Sequence, residues 1–96
     1  MRKQTIKRIP NLLRRYRKAR GLNQKQAARI LGFRSTSMVS RWERGLGLPS
    51  SWNIFKLAVL YRTMADPLFP NATRLVRSDI LRREEEIRRT GWGKNP

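Results

Sequence analysis

Ninety-six residues carry 23 Lys and Arg against 6 Asp and Glu, a formal net charge of +17, whereas solubility alone needs only about 2–8 charges on a small domain; the excess asks for a polyanion, whose neutralised phosphates release condensed counterions. The chain has neither Cys nor His, which excludes disulfides and thiolate chemistry and leaves a transition metal only carboxylates that do not cluster, so no metal and no cofactor is expected. The length fits one small domain; no apolar run approaches the roughly 20 residues of a membrane span, and Arg2-Lys3-Gln4 leads into no apolar leader segment, so a cytoplasmic protein is expected.

Residues 1–9 are basic without a clear period and read as a flexible arm, with Ile6 or Ile9 available for a short apolar contact. Pro10 suits the start of a helix, and Asn11 is an alternative cap. Leu12, Leu13, Tyr16 and Ala19/Arg20 then recur at helical spacing up to Gly21, placing Arg14, Arg15, Arg17 and Lys18 on the outer face. Asn23, with Gln26 three residues on, predicts a capping box opening a second helix over Gln24–Leu31, closed by Gly32. Phe33 anchors the following turn. Arg34-Ser35-Thr36-Ser37 supplies caps for a third helix whose inward face is Met38, Val39 and Trp42, and which Gly45 stops.

After the Gly47-Leu48-Pro49 loop, Ser50 or Ser51 caps a fourth helix, about Ser51–Tyr61, with a buried face of Ile54, Phe55, Leu57, Ala58 and Tyr61. A turn and a short fifth helix occupy 64–70, with Pro67 at its first position and Leu68/Phe69 plugging the core. A sixth helix over 71–90 carries Leu75, Val76, Ile80, Leu81 and Ile87 as an interrupted apolar stripe, and 91–96 is a frayed tail. Charge is uneven along this order: residues 1–45 hold 14 of the 23 bases and a single acid, Glu43. The basic half faces the phosphates.

A short helix, a tight Gly-containing turn and a second short helix with a polar, basic exposed face form the layout that enters a DNA major groove. The stretch from Leu22 to Pro49, with Asn23-Gln24 at the head of one helix and Arg41-Trp42-Glu43-Arg44-Gly45 at the end of the next, resembles the Cro/lambda-repressor-like (XRE) helix-turn-helix family, and the likeness extends over roughly 12–69. It implies an all-α fold: a compact four- to five-helix lambda-repressor-like DNA-binding domain over 10–70, preceded by the arm and followed by the additional C-terminal helix.

By that resemblance Thr36, Ser37, Ser40 and Arg41 read base edges. Arg can fork onto a guanine's two acceptors, whereas Ser and Thr make less selective contacts. Ser35 and Thr36 can equally serve as caps, and Arg41 can bind a phosphate instead. Gln24 is implied to touch the backbone and brace the recognition helix. Lys25, Arg34 and Arg44 are phosphate candidates, which position a domain without carrying sequence information. Trp42 reads as core in preference to a base-stacking platform. Glu43 reads as structural, pairing with a nearby arginine such as Arg15 or Arg20.

The chain is about one residue longer than the family pattern between Gly32 and Gly45, with the addition in 33–37. Thr36 and Ser37 therefore carry a one-residue ambiguity that Ser40 and Arg41, counted back from Trp42-Glu43, do not. No catalytic set is present and Glu84–Glu86 form a charged helical run, so an enzyme is not expected. The function expected is that of a sequence-specific regulator of transcription, a repressor working as a homodimer on double-stranded DNA, with the C-terminal helix as the dimer seam or packed on its own core. Two alternatives are an architectural or accessory factor of a mobile element, and an antitoxin-type DNA-binding protein with a protein partner.

Overall fold

The computed structural model describes residues 7–91. Residues 1–6 of the expected arm and 92–96 of the expected tail lie outside the described residues. Five α-helices follow one another: α1 (Leu13–Ala19), α2 (Gln24–Leu31), α3 (Ser37–Glu43), α4 (Ser51–Tyr61) and α5 (Pro70–Thr90), with a 3₁₀ turn at Asp66–Leu68 before the last. There is no strand among the described residues, and no helix is long and apolar enough to cross a membrane.

Local chemistry accounts for most boundaries. The Asn23 side chain accepts from the Gln26 N–H at 2.7 Å while Gln26 accepts from the Asn23 N–H at 2.9 Å, so the expected capping box is complete. Gly32, at φ 93°, then turns left-handed to close α2. Ser50 caps α4 by accepting from the Asn53 N–H at 3.2 Å. The first helix starts later than Pro10 suggests. Asn11 acts as a clamp: its Oδ1 accepts from the Leu13 N–H, and its Nδ2 donates to the carbonyls of Ile9 and Trp42, each at 3.0 Å.

The core gathers Leu13 of α1, Ala27, Ala28 and Leu31 of α2, Val39 and Trp42 of α3, Leu57, Leu60 and Tyr61 of α4, and Leu68 and Phe69. The alanine pair lets α2 approach both α3 and α4 closely. Trp42 is 2% exposed and meets the Phe33 ring edge-on at 5.8 Å, which fixes the turn between α2 and α3 to the core.

Four expectations about facing are corrected. Arg17 is buried, not on the outer face of α1, because it follows Leu13 by one turn and shares its inward stripe. Met38 is exposed, since Val39 and Trp42 alone turn α3 inward over its seven residues. In α4, Leu60 is buried and Phe55 faces solvent, because α2 covers only one flank of that helix. Along α5 no residue is buried: after Phe69 and Ala72 the helix leaves the core, and Leu75 and Leu81 do not pack on α4.

Candidate nucleic-acid interface

The frame of the site is a buried polar clamp. Arg17 Nε donates to Glu43 Oε2 at 2.6 Å and its Nη2 donates to Oε1 at 3.1 Å, a two-pronged pair with side chains only 8% and 4% exposed. The hydrogen bond to Glu43 raises the Arg17 pKa above its ordinary value against the opposing pull of burial. Arg17 also donates to the Leu22 carbonyl at 2.8 Å. Glu43 thus pairs with neither Arg15 nor Arg20, the partners expected from sequence. Arg20 donates to the Leu60 carbonyl, closing the end of α4. The sequence signal for Arg17 is its one-turn spacing from Leu13, which its charge outweighs.

Gln24, at the head of α2, donates from Nε2 to Glu43 Oε1 at 3.0 Å. One carboxylate therefore ties α1, the start of α2 and the end of α3 into a fixed angle. Burial of Glu43 in this clamp also removes the one negative charge of residues 1–45 from a surface meant for phosphates.

On this frame the outer face of α3 presents Ser37, Met38, Arg41 and Arg44, which recur at three- and four-residue spacing and are exposed. Ser40 and Thr36 are half-buried beside them. Ser35 is exposed, and its Oγ accepts from the Ser37 N–H at 3.3 Å and bonds the Ser37 hydroxyl at 3.1 Å, so Ser35 supplies the local cap while Thr36, at the N-cap position, makes no side-chain cap bond. Lys25 and Arg34 are exposed and line one shallow concavity with Phe33, Ser35 and Thr36 at the mouth of the turn. The structure thus gathers Lys25, Arg34, Ser35 and Thr36 at one concavity and exposes Ser37, Arg41 and Arg44 on α3, with Ser40 half-buried and Gln24 bonded to Glu43. Trp42 lies beneath them in the core, with no ring face left for a base.

Met38 is the residue on this face that sequence reasoning missed. At 40% exposure it lies one turn before Arg41; four residues before Trp42 it stands only about 40° from that buried ring on a helical wheel, so periodicity reads it as inward. The C-terminal end of α3 also receives the chain before α1: the Ile9 N–H donates to the Gly45 carbonyl at 2.9 Å and Arg8 Nη1 donates to the Arg44 carbonyl at 3.1 Å. Gly45 has φ 75°, and a Cβ there would meet Ile9 O at 2.6 Å and Ile9 N at 2.8 Å. Only glycine permits this approach, which sets Arg8 beside Arg44.

The geometry offers a rigid, short helix with a cationic, hydrogen-bonding and partly apolar outer face, the combination that reads base edges while flanking Lys and Arg hold phosphates. Among known proteins, residues 13–64 match the family model described as Helix-turn-helix. No curated protein and no solved structure matches the chain.

Proposed function

The chain belongs to the Cro/lambda-repressor-like helix-turn-helix family of DNA-binding proteins, and from that premise we propose that it is a sequence-specific repressor acting as a homodimer on a short two-fold operator. In this reading α3 lies in the major groove. Arg41 forks onto a guanine, Ser37 and Ser40 make shorter contacts, and Met38 supplies an apolar contact. Gln24, Lys25, Arg34 and Arg44 hold the backbone on either side. The observation that carries the reading is the Arg17–Glu43–Gln24 clamp beneath the exposed face of α3. A face held at a fixed angle by buried bonds can discriminate between base edges, whereas charge alone cannot.

A homodimer follows from energetics. One such module makes too few base contacts for operator-grade affinity, and two half-sites about one helical turn apart supply the rest. The unburied apolar positions Val76, Ile80 and Ile87 of α5 recur at coiled-coil-like spacing, with Arg83 between them, and support α5 as the seam.

Selection of bound sequences from a random duplex pool tests the reading. The expected result is a two-fold motif bound at least about 10³-fold more tightly than random DNA at physiological salt, and repression of a reporter carrying it downstream of a promoter. Steep salt dependence without discrimination would instead favour the architectural alternative.

A further inference from the structure

On the flank of α2 away from the candidate interface, α2 and α4 enclose an open apolar groove of about 350 Å³. Its walls are Ile30, Trp52, Phe55 and Val59, which are 61%, 72%, 60% and 79% exposed. The last three follow one another at three- and four-residue spacing and so form a single stripe along α4. Ile30 follows Lys25 by five residues, about 140° around the helix, which sets the groove and the basic concavity of Lys25 and Arg34 on different flanks. Single exposed apolar residues are ordinary. Four converging on one groove, a tryptophan among them, mark a surface that another molecule covers.

Charge decides what covers it. Neither α2 nor α4 contains an acid. Lys56 lines the groove while its ammonium stands 4.8 Å over the Phe33 ring, toward the Lys25–Arg34 concavity, and Arg62 follows directly on α4, beside Val59. A second copy brings the same +17, and its α5 sets its four acids among six arginines, so that helix too is net positive. A flat layer of anionic headgroups matches the charge but not the concavity. A groove between two helices selects a row of side chains, as in helix-in-groove recognition.

We propose that this groove docks an acidic amphipathic helix of another protein, its apolar row seated between α2 and α4 and its carboxylates turned toward Lys56 and Arg62. Because groove and DNA-side concavity share no lining residue and meet only where Lys56 stands over Phe33, the partner and a duplex bind the same molecule together.

The test titrates the full-length chain with a fluorescein-labelled 20-residue peptide carrying Leu at every third and fourth position and Glu elsewhere. A scrambled peptide of identical composition and vesicles of phosphatidylserine serve as comparisons. Expected are saturable binding, a blue shift in tryptophan emission that Trp52→Gln removes, affinity for the scrambled peptide weaker by about tenfold or more (about 1.4 kcal/mol), and a similar loss in Val59→Lys. Trp52→Gln, followed by the peptide's own fluorescence, gives a second variant; both positions are largely exposed, and a thermal melt confirms that each variant folds. DNA affinity should be unchanged in both, and the peptide should bind the protein–DNA complex. Equal affinity for the scrambled peptide, or binding insensitive to both variants, overturns the proposal. So does a dimer that Val59→Lys dissociates, which makes a second copy the occupant, and so does groove-dependent binding to vesicles alone.

Discussion

The side chain of Arg41 carries the sharpest consequence for readout. Its removal in Arg41→Ala should cost about 1–3 kcal/mol on the preferred operator and relax choice at one base pair; a uniform loss on every sequence would make it a phosphate contact. Beneath it, Arg17→Ala leaves Glu43 charged and buried without its partner, and should lower stability by about 3–5 kcal/mol in urea unfolding. Adding Glu43→Gln should return part of that loss, and a single variant as stable as the parent would show the clamp to be idle. Tyr61 gives a pH signature. Its hydroxyl is buried with no hydrogen-bond partner among the described residues, and burial pushes its pKa up to about 12 from an ordinary 10. Below the unfolded value both states are neutral and its contribution is complete; as pH rises through the folded value, earlier ionisation of the unfolded phenol draws stability away. Tyr61→Phe should therefore be at least as stable as the parent at neutral pH, with a stability difference that widens in its favour between about pH 10 and 12.

At the scale of elements, caps and stops were legible because they are local: Asn23 with Gln26, Ser50, and the glycines at 32 and 45 act through their own neighbours. Facing was legible only where one stripe dominates. Trp42 read correctly as core, but Met38 and Phe55 are as apolar as their buried neighbours, and only the arrangement of α2, α3 and α4 decides which of them meets solvent. Arg17 was hidden for the opposite reason, since a charged residue reads as surface until its buried counter-ion is placed. The site residues follow from the resemblance, and the clamp that orients them does not. For α5, the absence of any buried side chain sharpens the question of what its apolar stripe does. Ile80→Lys with Ile87→Lys should give folded monomers with weaker, non-cooperative operator binding, read by sedimentation at micromolar protein. A double variant that stays dimeric would remove α5 from the interface.

Considered whole, the molecule puts its positive excess ahead of residue 46 and most of its acids on α5. The chain before α1 joins this field at a defined place, pinned by Ile9 to Gly45 and by Arg8 to the end of α3. Deleting residues 1–7 removes Arg2, Lys3 and Lys7 while sparing that anchor. Affinity for all duplexes should fall and the salt slope should flatten, by about 0.9 for each phosphate left without its cation; an unchanged slope would show that these bases meet no phosphate.

The isolation of α5 bears on how such a slope is read. Past its first turn, where Ala72 packs against the core, α5 buries nothing and rests on its own ion pairs, Arg82 and Arg88 each bridging two carboxylates. Such exposed pairs are individually weak and are screened as ionic strength rises. Added salt therefore acts on one molecule twice, displacing it from phosphates and fraying the helix proposed to join two copies. Where binding is coupled to pairing, the slope of affinity against salt then counts helix melting along with counterion release, and it returns more phosphates than the protein touches. Amide exchange along α5 across the same salt series separates the two contributions, because a fraying helix exchanges faster whether or not DNA is present.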